Sequence, residues 1–217
     1  MEGNTNVIRL FFRLGAASFV IVFSAHAEDT NSSPARRFVL NAHLGPALQQ
    51  DISVKSGFLF DPSRNGNIKF LTGGRFDVGI GYKIIDSLAV GVESGLVITW
   101  PRSDQAGDFD FAQVPIMATV NYSIPVSWPV KPYVGLGVGG VLTYVQQSRF
   151  SGPTFADRDF SPAGEVFAGL RYEFNDRFDI SLEYKFVATG DINFDQQHAT
   201  LSGTGTHSLA AGFGFRF

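Results

Sequence analysis

From residue 36 onward the chain alternates apolar positions with small or polar ones at a period of two, the mark of strands with two unlike faces. Across 75–82, Phe76, Val78, Ile80 and Tyr82 share one face, and Arg75, Asp77, Gly79 and Gly81 share the other. The same division recurs over 88–99, 113–122, 132–144, 165–174, 178–186 and 208–217, with a weaker opening strand near Arg37 to Leu44. The pattern predicts about eight strands, each near the roughly 9–11 residues that cross a bilayer at a tilt. Tight connections at 84–87, 124–131 and 175–177 contrast with long polar ones at 45–69, 100–112, 145–161 and 188–206. Short turns therefore gather at one end and long loops at the other, as in membrane barrels.

The face opposite the apolar stripe is rich in glycine: Gly79, Gly81, Gly91, Gly95, Gly135, Gly137, Gly139, Gly169, Gly212 and Gly214. A water-soluble sheet would place well-solvated groups there. A small-residue face suits the cramped interior of a narrow barrel, and lipid requires that the sheet close on itself. The expected fold is all-β, a closed antiparallel eight-stranded transmembrane up-and-down barrel over 36–217. Its charges then fall inside: Arg75, Asp77, Glu93, Glu165, Arg171, Glu183, Lys185 and Arg216 form a barrel-interior polar network that plugs the lumen, staying ionised only by pairing or with trapped water. Tyr82, Tyr122, Tyr133, Tyr172, Tyr184 and Trp100 are candidates for interfacial girdles.

Composition narrows the function. Aromatic content of 14% in 217 residues excludes a disordered chain. A net charge of -3, with no long basic run, argues against nucleic acid as a partner. The absence of cysteine removes disulfides, thiolate metal sites and a lipidated cysteine anchor together. At the N-terminus, Arg9 and Arg13 precede an apolar run from Leu14 to Phe23, then Ala25, His26 and Ala27. This reads as a signal peptide over 1–27, cleaved after Ala27, followed by a short polar lead-in over 28–35.

No catalytic or cofactor motif survives its context. Gly135, Gly137 and Gly140 match dinucleotide-fingerprint spacing, but they sit inside a strand with no βαβ unit around them. His207 and Ser208 invite a base–nucleophile reading, yet neighbours on a strand point to opposite faces. His43, His198 and His207 are too dispersed for a metal cluster. No metal, cofactor or catalytic residue is therefore expected, and no enzyme activity. Asp104, Asp108, Asp110, Asp157 and Asp159 match no calcium loop. Phe109, Phe111, Phe150, Phe155 and Phe194 give the loops apolar points suited to adhesion, or to packing on lipopolysaccharide or neighbouring loops.

The C-terminus, Ala210 to Phe217, sets Phe213, Phe215 and Phe217 at alternate positions and ends on phenylalanine. With Gly74 to Tyr82, Val114 to Met117, Pro132 to Gly140 and Ala168 to Phe174, it resembles the small outer-membrane β-barrel family that includes OmpA-like and opacity-type porin family barrels. The resemblance implies the outer membrane of a Gram-negative-type bacterium and contact with outer-membrane lipid and lipopolysaccharide. It also implies insertion by the outer-membrane assembly machinery through that terminal signal. The expected role is a cell-envelope structural or adhesin-like surface-interaction protein that meets a surface ligand through four loops. The alternatives are a narrow ion or small-solute channel and a lipid A-modifying enzyme.

Overall fold

The computed structural model describes residues 37–56, 67–100, 109–147, 155–194, 199–202 and 204–217. Its strands are β1 (Phe38–Gln49), β2 (Ile52–Ser56), β3 (Asn67–Ile68), β4 (Gly73–Ile85), β5 (Leu88–Thr99), β6 (Phe109–Ser123), β7 (Val130–Gln147), β8 (Phe155–Glu173), β9 (Phe178–Thr189), β10 (Ile192–Phe194), β11 (Ala199–Ser202) and β12 (Thr204–Arg216). Eight of them close a barrel in the order β1-β12-β9-β8-β7-β6-β5-β4, every pair antiparallel and β1 bonded to both β12 and β4. This is the expected closed barrel. No helix among the described residues is long and apolar enough to cross a membrane, a statement that leaves strands aside.

The pairing also sets the barrel's shape. A walk in register from Phe38 passes Tyr82, Val90, Val120, Leu136, Val166, Phe186 and His207 and returns to β1 at Leu48, ten residues further along. That stagger, with about 3.3 Å per residue and about 4.8 Å between strands, tilts the strands by about 40° and gives a backbone radius of about 8 Å. At that tilt a twelve-residue strand such as β1 rises about 30 Å, enough for an apolar band about 25 Å tall.

The alternation resolves into an outside and an inside. Leu40, Leu44, Val92, Leu136, Val166, Leu182 and Phe213 are all exposed, on a wall whose only suitable solvent is hydrocarbon. Tyr82, Tyr122 and Tyr172 lie exposed near the short-turn end with Phe38, Phe178 and Phe217. Arg37 donates to the Tyr82 hydroxyl at 3.1 Å there, and Phe38 packs on Tyr82 and Phe217. Tyr133 departs from the girdle expectation: it is 1% exposed and points inward. Its odd position on β7 opposes the outward Val134 and Leu136, so parity outweighs its aromatic character. Gly137 shows why the inner face is small, since a Cβ there would lie 2.6 Å from Glu165 Oε1, and at Gly139 a Cβ would lie 2.0 Å from the Ile116 carbonyl oxygen of the neighbouring strand.

The long connections are not simply loops. The opening strand runs on to Gln49 rather than ending near Leu44, and β7 and β8 extend through much of 145–161. Segments between β1 and β4 and between β9 and β12 pair as a second sheet in the order β10-β11-β2-β3. Its buried side carries Ile52, Ile68, Ile192, Phe194 and Leu201, packed with Phe111 and Val145 from the upper ends of β6 and β7. Phe111 and Phe194, two of the apolar loop points, are each 1% exposed and take the packing alternative, against neighbouring segments. Burial of this cluster is the physical reason that polar-looking loops become strands.

Candidate functional site in the barrel interior

Inward positions of β1, β4, β5, β8 and β9 bring a charged cluster together near mid-strand. Arg75 donates through Nε to Asp77, through Nη2 to Glu183 Oε1 at 3.2 Å, and through Nη1 to Ser208 Oγ at 2.8 Å. His43 Nδ1 lies 2.9 Å from Asp77 Oδ1, and its Nε2 lies 3.8 Å from Glu183 Oε2. The Tyr133 hydroxyl donates to Glu183 Oε2 at 3.1 Å. Lys185 bonds to Glu93 and stands 3.6 Å from Glu165 Oε2 and 3.8 Å from Glu183 Oε1, with its ammonium 5.1 Å from the Phe167 ring centroid. Nearly all of these groups are buried, so each charge needs its partners.

The cluster is unbalanced. Asp77, Glu93, Glu165 and Glu183 outnumber the fixed cations Arg75 and Lys185. Glu165 holds the weakest position: both of its carboxylate oxygens lack a hydrogen-bond partner, and Lys185 is its cation at ion-pair range.

A second layer lies toward the short-turn end. Arg216 Nη2 donates to Glu173 Oε1 and to Asp179 Oδ2, each at 2.6 Å, and Arg171 Nε stands 3.4 Å from Asp179 Oδ1. Arg171 also stacks over the Tyr133 ring at 4.6 Å, and Lys131 bonds to Glu173. Toward the other end Thr206 donates to Gln49 Oε1 at 2.6 Å, Ser161 donates to Asp159 Oδ2 at 2.8 Å, and Thr99 and Thr143 are buried beneath the apolar cap.

A narrow recess with room for about 60 Å³ enters from the turn between β4 and β5, and its lining includes His43 and Glu183. Gly79, Gly81 and Gly91 leave this space by contributing no side chain. Among the described residues, no group of three or more His, Asp and Glu side chains is placed to hold a metal ion.

The structure thus places Arg75, Asp77, Glu93, Glu165, Glu183 and Lys185 in one cluster and Arg171 and Arg216 in another. Sequence reasoning passed over His43, Asp179, Glu173 and Tyr133. Asp179 and Tyr133 were readable from strand parity, whereas His43 had no motif to announce it and gains its role from Asp77 across the β1–β4 pairing. Ser208 points inward to Arg75 and His207 points outward, so the two do not form a catalytic pair. Gly135 and Gly137 face Phe167 and Glu165, and Gly140 lies under the Phe160 ring, which accounts for their spacing by packing. Phe213, Phe215 and Phe217 form an outward aromatic row with Phe178 and Phe38. Ala25, Ala27, His198 and Phe150 lie outside the described residues.

The sequence matches the family model of the outer membrane protein beta-barrel domain over residues 15–217. In fold the chain is similar to Neisserial surface protein A, with a TM-score of 0.59 and 19% identity over 83% of this chain and 97% of that one. It is likewise similar to outer membrane protein AlkL as solved in DMPC bilayers, with a TM-score of 0.50 and 17% identity over 88% and 95% of the two chains. No curated protein matches the chain significantly.

Proposed function

Because this chain belongs to the outer membrane protein beta-barrel domain family, we propose that it serves as a structural and surface-interaction protein of the outer membrane with a closed lumen and no catalytic centre. The observation that supports the reading is burial at two levels of the barrel. The paired charges around Arg75 and Lys185 are buried near mid-strand, and the sheet β10-β11-β2-β3 lays Ile52, Ile192 and Phe194 against Phe111 beyond them. A hydrated ion would have to separate buried ion pairs and then cross an apolar layer.

The same sheet supports the surface-interaction role. Two distant segments joined by strand pairing and a buried core present a preformed face, which spares a binding partner the entropy of ordering loops. On this reading residues 1–27 are the export signal, 28–35 a lead-in, and Phe213, Phe215 and Phe217 the terminal motif read by the assembly machinery. Lipid and lipopolysaccharide then surround the outer wall.

The test is electrical. Pure protein in planar bilayers should pass no sustained single-channel steps, and persistent steps from protein free of porin contamination would refute the closed lumen. The narrow-channel reading retains one supporting observation, the recess at the short-turn end whose lining includes His43 and Glu183.

A further inference from the structure

The recess at the β4–β5 turn is built differently at its two ends. Its deep end holds Glu93 and Glu183, whose charges are already engaged, Glu93 by Lys185 and Glu183 by Arg75 and the Tyr133 hydroxyl. Toward the mouth the lining changes to Lys83 of β4 and Arg171 of β8, with Asn41 of β1 and Thr119 and Asn121 of β6. Lys83, Arg171 and Asn121 stand close to the short-turn ends of their strands, which close at Ile85, Glu173 and Ser123.

This end of the barrel carries more cations than carboxylates to serve them. Glu173 is shared by Lys131 and Arg216, and Asp179 by Arg216 and Arg171, so two carboxylates hold three cations. Lys83 is a fourth. Among the described residues it has no carboxylate at ion-pair range, and it lies in the field of Arg171 and Arg216, offset at longer range by Glu173 and by Asp86 of the turn. Donors are unused as well. Arg171 stands 3.4 Å from Asp179 and stacks on Tyr133, yet its guanidinium donates no hydrogen bond among the described residues, and its Nε is buried without a partner. The side chains of Asn41, Thr119 and Asn121 also make no hydrogen bond among the described residues. Convergent polar groups left unbonded in a half-buried recess are costly unless something enters to meet them. Asparagine and threonine side chains can donate or accept, so Lys83 and Arg171 set the sign of what enters.

We propose that the mouth of this recess binds one small oxyanion of the phosphate or carboxylate class, held by Lys83 and Arg171, with Asn41, Thr119 and Asn121 completing its hydrogen bonds. Room for about 60 Å³ suits a few waters or a single group of that size. Glu93 and Glu183 set the depth, because they repel an anion that moves inward past the cations. A free anion and the terminal phosphate of a headgroup offer the same chemistry. The site is independent of the closed-lumen reading, since it needs only the mouth.

The experiment is a nuclear magnetic resonance titration of protein purified from membranes into detergent micelles, with nitrogen-labelled asparagine. Sodium phosphate, sodium acetate and glycerol 3-phosphate are added at constant ionic strength, with sodium chloride as the control, and the side-chain amide signals of Asn41 and Asn121 are followed. Phosphate or acetate should shift both signals saturably where chloride does not. Lys83→Gln should weaken that binding about tenfold, as expected for loss of one charged hydrogen bond. Arg177→Gln, which removes an exposed turn cation outside the recess, should leave it unchanged. Glycerol 3-phosphate binding as tightly as phosphate assigns the site to a headgroup-like monoester, and its exclusion assigns the site to a free anion. Shifts matched by chloride, or no saturable shift with phosphate or acetate, would overturn the proposal, as would undiminished affinity in Lys83→Gln. Should that variant fail to fold, the wild-type comparison of phosphate and acetate with chloride still decides.

Discussion

Replacing Arg75 with methionine should be among the most damaging single changes available in this barrel. Arg75 is 4% exposed and its guanidinium serves Asp77, Glu183 and Ser208 at once. Methionine keeps the apolar stem and removes every donor. The attraction to Glu183 alone, at 3.2 Å, amounts to about 5 kcal/mol at an effective dielectric of about 20. The cost of burying the guanidinium, relieved in the variant, offsets part of that. Stranding a partner in a buried pair costs about 3–5 kcal/mol in practice. Two carboxylates lose their arginine here, yet each keeps another neighbour, His43 at 2.9 Å from Asp77 and Lys185 at 3.8 Å from Glu183. The expected loss is therefore about 3–5 kcal/mol once, not twice over. Urea unfolding in detergent micelles, followed by tryptophan fluorescence and far-ultraviolet dichroism, measures it. The double variant Arg75→Met/Glu183→Leu removes a charge of each sign and should recover about 2 kcal/mol of the loss. A single-variant cost below about 1 kcal/mol would mean that water solvates the cluster, and the interior ion-pair reasoning would fall.

Three further outcomes follow from the same geometry. Glu165→Gln should be neutral or stabilising by up to about 1 kcal/mol in the same assay, because its carboxylate makes no hydrogen bond and adds to an acidic excess, and a loss above about 2 kcal/mol would contradict the imbalance. Phe194→Asp should loosen the outer sheet, seen as new protease cleavage on intact cells, without giving conductance, since on the closed-lumen reading the mid-barrel cluster still blocks the axis; single-channel steps in that variant would show that the cap alone closes the lumen. Gly139→Ala should destabilise the barrel by about 1–3 kcal/mol, because the methyl collides with the Ile116 carbonyl, and an unchanged unfolding midpoint would refute that close approach.

The period-two alternation by itself determined which residues meet lipid and which face inward, because neighbouring side chains on a strand cannot share a face. Leu182 and Ile180 outside, with Glu183 and Asp179 inside, follow from their positions alone. Tyr133 obeyed the same rule and was misread only where residue type was set above parity. Which charges meet is a different matter. Lys185 reaches Glu93 across 92 positions and His43 reaches Asp77 across 34, and these meetings depend on closure and on the ten-residue stagger that sets heights around the barrel. The cap is further still from local pattern. Ile52 and Leu201 sit in segments too short to show a period, and they become strands only because pairing brings distant loops over Phe111 and Val145. Local stereochemistry decides a side chain's face; only the closed sheet decides its partner.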